Sequence, residues 1–222
     1  MSGNRDVPFY LSISGNIGVG KSTVCSMVGE ALGWPTYYEP VDNNPYIADY
    51  YKDMPRWAFH LQIYFLSKRF EVQKEIIDLG CSAVQDRTIY EDVDIFAKVL
   101  NKRGAMDDRD YENYREVFRN MVSFLRPPDL VLFLRAGVDA SMSRIAERGR
   151  DCESGIPRDF IQDLHDAYEE WIGTADEICP VRIIDTERVN LRDDPEAQRE
   201  FLDYVGELHG KKRKALAHGG GA

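Results

Sequence analysis

The sequence predicts an α/β chain built as three layers, α/β/α, around a five-stranded parallel sheet. Three observations predict it. Short apolar strand signals alternate with helical stretches along the whole chain. The first of them runs into a glycine-rich loop, Gly15-Asn16-Ile17-Gly18-Val19-Gly20-Lys21-Ser22, that opens a helix. Asp129–Leu134 carries a continuous apolar run, the pattern of a strand covered on both faces.

The elements follow in order. Pro8–Ile13 reads as the first strand, and Ser22–Leu32 as a helix with Val24, Met27, Val28, Ala31 and Leu32 on one face. Thr36–Tyr38 is a short second strand ending at Glu39-Pro40. Asp42–Asn44 before Pro45 makes a turn and a helix start. From about Arg56 to Leu79, Trp57, Leu61, Tyr64, Phe65, Val72, Ile76 and Leu79 keep three–four spacing, and Gly80 ends that helix. Ser82–Gln85 is the third strand, running into Asp86-Arg87. Helices are expected over about Ile89–Lys102 and Arg109–Phe124, before Pro127-Pro128 breaks the chain. After the fourth strand come helices over Val138–Glu147 and Arg158–Trp171, a fifth strand at Val181–Ile184 and a last helix at Asp194–Leu208. Residues 1–210 are expected to form one domain. Residues 211–222, opening with Lys211-Lys212-Arg213-Lys214, read as a solvated, disordered tail.

Composition narrows the function. With 28 basic and 38 acidic residues the net charge is −10, a poor match to general nucleic-acid binding, so anionic ligands need local cations. No apolar run is long enough to span a bilayer and no secretory leader is visible. The four cysteines are far apart without metal spacing, which suits a reducing, cytoplasmic setting.

The glycine-rich loop fits G-x-x-x-x-G-K-[ST]. Its backbone N–H groups can cradle phosphate oxygens, Lys21 adds a point charge, Ser22 can offer its hydroxyl to Mg²⁺, and the helix N-terminus favours the same anion. In parallel α/β sheets ligands bind beyond the carboxyl ends of the strands. Three strands end there in chemically capable groups: the loop, Glu39, and Asp86-Arg87. Glu39 can act as a general base, although a capping or solvated glutamate fits the residues equally well. Asp86 sits where phosphate-loop proteins hold Mg²⁺, and Arg87 can neutralise phosphate or form a structural ion pair. Arg144 and Arg148 lie four apart on one helix face, with Gly149 and Arg150 following. The segment at about 144–157 reads as an arginine-bearing lid over phosphate, or else as a solvated basic helix end.

Gly15–Thr23, Glu39-Pro40-Val41, Trp57–Arg69 with Gln62 inside it, Asp86-Arg87-Thr88-Ile89-Tyr90-Glu91-Asp92 and Arg144–Arg150 together closely resemble the deoxyribonucleoside kinases. Asp42-Asn43-Asn44-Pro45-Tyr46 and Asp86-Arg87-Thr88 resemble the bacterial deoxyadenosine/deoxycytidine kinase branch. The resemblance implies a phosphate-loop kinase fold, ATP as phosphate donor with Mg²⁺, a deoxynucleoside acceptor and a homodimer. It implies Glu39 as base for the 5′-hydroxyl and Arg87 as stabiliser of the transferred group. Tyr51 and Glu169 would bind the 3′-hydroxyl, and Gln62 and Asp92 the base. Ser22 and Asp86 would hold Mg²⁺, and Gly15 through Thr23 with Arg144, Arg148 and Arg150 would hold ATP. Asp86 stands where many animal relatives have Glu, Thr88 where Ser is frequent, and Lys68 where relatives often carry Arg. A point charge does not reproduce that fork.

The base preference follows from hydrogen-bond patterns. The Gln62 amide matches the amino donor and ring acceptor of adenine or cytosine, and Asp92 accepts from an exocyclic amino group and repels the O4 of thymine. Because a flipped Gln62 amide would match guanine, a deoxyguanosine or broad-specificity deoxynucleoside kinase is the alternative reading. Two other classes use the same loop: a nucleoside monophosphate kinase, whose acceptor phosphate Glu39 would repel, and a nucleotide-binding switch with no small-molecule acceptor.

Overall fold

The computed structural model describes residues 7–39, 44–150, 153 and 155–219. The expected motif residues Pro40 to Asn43 and the lid positions 151, 152 and 154 lie outside them. Strand β1 (Tyr10–Ser14) is central because it is buried along its whole length. It pairs with β3 (Ala83–Asp86) on one side and β4 (Leu130–Arg135) on the other. Beyond these lie β2 (Thr36–Tyr37) and β5 (Val181–Asp185). Among the described residues the sheet order is β2-β3-β1-β4-β5, with every pairing parallel.

Parallel neighbours need crossovers, and helices supply them. These are α1 (Lys21–Leu32), α2 (Ile47–Tyr50), α3 (Met54–Leu79), α4 (Ile89–Glu91), α5 (Lys98–Lys102), α6 (Asp108–Val122), α7 (Val138–Arg148), α8 (Arg158–Ala175) and α9 (Pro195–Gly219). The period of two along the strands sorts side chains between two cores. Leu11, Ile13, Leu130, Leu132 and Leu134 pack with Val24 and Val28 of α1 and Val205 of α9. Val131 and Phe133 face the opposite way, onto Leu164 and Tyr168 of α8 and Phe65 of α3. Helices therefore cover both faces, as the alternating pattern predicts.

Two elements differ from expectation. The helix expected over 89–102 is interrupted: between α4 and α5, Asp92–Ala97 is π-helical. Apolar periodicity does not register one extra residue per turn, and π segments often accompany functional positions. The expected disordered tail is corrected as well, because α9 continues as helix to Gly219. Lys212 Nζ donates to Pro8 O at 2.6 Å and pairs with Asp129 at 2.7 Å. The His209 ring meets Val7 O at 2.7 Å and packs against Phe9 and Trp34. Within the basic run, Lys212 is held by a carbonyl and a carboxylate at the start of the sheet, contacts that hydropathy cannot reveal. Among the described residues no helix is long and apolar enough to cross a membrane.

Candidate active site

A cleft of about 1890 Å³ opens at the carboxyl ends of β1, β2 and β3. Drug-sized ligand pockets usually run to about 300–1,000 Å³, so this cleft has room for two ligands side by side. Its donor end is lined by residues 17–23 of the loop, by Arg144, Arg148 and Arg150, and by the chain after β5 from Thr186 to Asp193. Its acceptor end is lined by Glu39, Tyr51, Gln62, Arg87 and Phe96, among others. Lys21, Ser22 and Asp86 line the cleft too, the first two from the start of α1 and Asp86 from the end of β3.

The loop needs its glycines. Gly15 and Gly18 have φ of 136° and 83°, and a Cβ on either would come within 2.5 Å of a carbonyl oxygen, Leu134 O or Ser141 O. Side chains are excluded twice over, by conformation and by space. Asn16 pins the loop to α8 by donating Nδ2 to Ile161 O at 3.0 Å. Lys21 Nζ donates to Asn16 O at 2.9 Å. Burial, reinforced by the Arg87 charge, lowers the Lys21 pKa to about 8. Ser22 Oγ donates to Asp86 Oδ2 at 2.8 Å, while Asp86 Oδ1 is buried without a hydrogen-bond partner. A hydroxyl and an underused carboxylate beside a phosphate cradle suit Mg²⁺, a hard cation that takes oxygen ligands and shares phosphates. Among the described residues no cluster of three or more His, Cys, Asp or Glu offers an all-protein cage.

The acceptor end is a locked set of charges. Glu39 Oε1 accepts from Arg87 Nη1 at 2.6 Å and from Arg69 Nη2 at 2.7 Å. Burial alone would raise the Glu39 pKa, but Arg87, Arg69 and Lys21 outweigh it and hold the carboxylate well below its usual range. Glu39 is thus ionised at every physiological pH. Arg87 has φ of 67°, the left-handed region that costs a non-glycine residue roughly 1–2 kcal/mol. Its backbone N–H donates to Ile13 O at 2.9 Å, which ties that conformation to β1. Nη2 donates to Gly15 O at 3.1 Å, and Cζ lies 4.4 Å above the Phe96 ring. One arginine therefore touches the phosphate loop, the glutamate and the acceptor wall.

Behind Glu39, Arg69 Nε donates to Asp92 Oδ1 at 2.7 Å. Burial raises the Asp92 pKa to about 6 even against the Arg69 charge. Asp92 does not itself line the cleft, whereas Gln62 does and is 3% exposed. Gln62 Oε1, Arg69 Nη1 and Asp92 Oδ2 are all buried without partners, hydrogen-bonding capacity left over for a polar ligand.

Several sequence expectations change here. Lys68 is exposed and paired with Glu71 at 2.9 Å; the buried arginine of this helix is its neighbour Arg69, one residue along. Successive residues of a helix turn by about 100°, so one of two adjacent cations can face inward while the other does not, and Lys68 falls on the outer face. Glu169 does not reach the cleft. It lies on the outer side of α8, where both carboxylate oxygens accept from Arg135 at 2.8 Å. Tyr51 does line the cleft, and so does a glutamate that motif reasoning missed: Glu153, 6% exposed and ion-paired to both Arg148 and Arg150. Its sequence signal was its position three residues past Arg150, inside the charged segment. Arg144 is not on a free lid. It donates to Val19 O, Thr186 Oγ1 and Thr186 O, strapping α7 to the loop and to the end of β5.

A phosphate cradle and a buried carboxylate–arginine pair, on a parallel sheet with this strand order, define a phosphotransferase. The deoxynucleoside kinase family model matches residues 11–209. A deoxyadenosine kinase of Dictyostelium discoideum is 44% identical over 78% of this chain and 70% of its own length. A deoxyadenosine/deoxycytidine kinase of Bacillus subtilis (strain 168) is 38% identical over 92% of this chain and 95% of its own. The structure of deoxyadenosine kinase from M. mycoides with bound dATP superposes with a TM-score of 0.78 at 32% identity, covering 90% of this chain and 99% of that one. The chain belongs to the deoxynucleoside kinase family.

Proposed function

We propose that the protein transfers the γ-phosphoryl group of ATP to the 5′-hydroxyl of a deoxyribonucleoside, preferring deoxyadenosine and deoxycytidine over deoxyguanosine and thymidine. The observation that carries this is Glu39, on the wall of the same cleft as the glycine-rich loop, held between Arg87 and Arg69. A carboxylate in that place receives a hydroxyl proton and repels an acceptor that already bears a phosphate, which argues against a monophosphate acceptor. The relatives named for deoxyadenosine and deoxycytidine, at 44% and 38% identity, support acceptance of those two nucleosides.

In this reading Glu39 orients the 5′-hydroxyl and takes its proton. Because the carboxylate is weakly basic, that transfer comes late, which suits a loose phosphoryl-transfer transition state. Arg87 and Lys21 balance the charge on the transferring group, and Arg148 and Arg150 approach it as lid residues. Ser22 and Asp86 would hold Mg²⁺, which would neutralise phosphate charge when bound. Tyr51 and Glu153 flank the sugar, so the role expected of Glu169 passes to Glu153. Gln62 meets the base edge, and Asp92 acts on it through Arg69. Cys25, Cys81 and Cys179 are free thiols, which accords with a cytoplasmic salvage enzyme, and a homodimer is the assembly expected of it.

Initial rates with the four deoxynucleosides and with deoxyadenosine monophosphate, each with ATP and Mg²⁺, test the reading. Fast turnover of deoxyadenosine and deoxycytidine is expected. Turnover of the monophosphate instead, or of thymidine at equal rate, overturns it.

A further inference from the structure

Arg87 makes two of its contacts, to Glu39 and Gly15, through Nη1 and Nη2; its Nε makes no hydrogen bond. Two groups lie beside this guanidinium on its far side from Glu39: the carboxylate of Glu91, whose Oε2 stands 3.5 Å from Nε, and the Tyr168 hydroxyl, which interacts with Arg87 as well as with Glu91. Glu91 is fully buried. It is held there from two sides. Oε1 accepts from Thr88 N at 2.9 Å, capping the start of α4. Oε2 accepts from the hydroxyl of Tyr168 on α8 at 2.8 Å. Tyr168 is 1% exposed and packs edge-on against Phe96, the ring over which Arg87 lies.

A buried carboxylate so near a guanidinium would ordinarily close on it to a charge-assisted bond of about 2.7–2.9 Å. Here Oε2 accepts from the Tyr168 hydroxyl instead and stays 3.5 Å from Nε. From this geometry we infer that Tyr168 and Glu91 are positioning residues for phosphoryl transfer, acting through Arg87. Tyr168 holds the Glu91 carboxylate off Arg87 Nε, so that the guanidinium stays committed to Glu39 and to the phosphoryl group. Without the hydroxyl, Oε2 closes on Nε, turns the guanidinium toward α4 and pulls Nη1 away from Glu39. Neither residue lines the cleft, so neither change alters substrate contacts directly.

The inference rests on the proposed kinase reading, and its test separates the two. Tyr168→Phe keeps the ring packing and removes only the hydroxyl. Its kcat with deoxyadenosine is expected to fall about tenfold, with the KM for ATP and for nucleoside within about twofold of the parent and an unchanged melting temperature. Glu91→Gln keeps the acceptor for Thr88 N and removes the charge. In that background Tyr168→Phe is expected to change nothing further, because the group it restrains is gone. Parental kcat in Tyr168→Phe, a loss residing in KM or in melting temperature, or additive losses in the double variant each overturn the inference. If the parent transfers no phosphate to a deoxynucleoside, the kinase reading fails. The crystal structure of Tyr168→Phe then decides separately. Glu91 Oε2 in hydrogen-bond contact with Arg87 Nε supports the inference, and an unmoved pair overturns it.

Discussion

The two ends of the cleft are built on different principles. The end proposed for the donor is mainly backbone: glycines with positive φ shape the loop, and Lys21 and Ser22 are the polar side chains at the head of α1. The acceptor end is side chain: Glu39, Arg69, Arg87, Glu91 and Asp92 are interlocked through ion pairs, most of them buried. A backbone cradle recognises what all nucleotides share. A charge network fixes one carboxylate and leaves one set of unpaired atoms, and so can be selective. Removing one partner from such a network is costly, about 3–5 kcal/mol, because it strands a buried charge. The donor end should therefore tolerate changes by weakening affinity, whereas the acceptor end should respond in the rate of chemistry.

Four experiments bear on that contrast. Glu39→Gln has the largest expected effect, a loss in kcat of about 10²–10⁴-fold with the KM for ATP nearly unchanged. A near-parental rate in steady-state assays would remove the general-base role. Arg69→Lys comes next. A single ammonium cannot reach Glu39 and Asp92 as the fork does, so kcat and the preference for deoxyadenosine over thymidine should fall together, by roughly tenfold each. If only the preference falls, Arg69 serves the base and not Glu39.

The donor end is probed by pH. On the proposed reading Lys21 binds phosphate only when protonated, and its pKa is lowered to about 8 by burial. As pH rises through that value the cation is lost, so the KM for ATP should rise severalfold between about pH 7 and 9 while kcat at saturating ATP changes less. Binding near pH 8 should also take up protons, measurable by titration calorimetry in buffers of different ionisation enthalpy. A flat KM would show that Lys21 stays charged in the free enzyme. The smallest effect belongs to neither end. Lys212→Met removes the partly buried pair with Asp129 and should cost about 0.5–1 kcal/mol of stability without changing kcat, as read by denaturant unfolding.

Opposite linkage operates within the network. Asp92, with its pKa raised to about 6 by burial, stabilises the fold below its unfolded value of about 3.9 and loses that contribution as pH rises through 6. Glu39, with its pKa lowered, contributes above its unfolded value of about 4.3 and loses that contribution in acid. The two changes meet only near pH 4; from there to about pH 6 the loss of the Asp92 contribution acts alone.

The sequence by itself determined the sheet, its five strands, the phosphate loop and the chain positions of Glu39, Asp86 and Arg87. Those features are local: hydrophobic period, glycine placement and a strand end each act over a few residues. The tertiary structure decided which neighbour of a pair turns inward. Arg69 rather than Lys68 is buried, and Glu153 rather than Glu169 lines the cleft, because helix phase and the available partners set direction, and Arg135 at the end of β4 claims Glu169. It also decided that the basic segment after 210 is helix, since Lys212 meets Pro8 and Asp129 only once the chain termini converge. The π-helical turn at Asp92–Ala97 and the left-handed Arg87 were likewise beyond the sequence. Each departs from a local preference, and the contacts that over-determine it come from β1, α3 and α8.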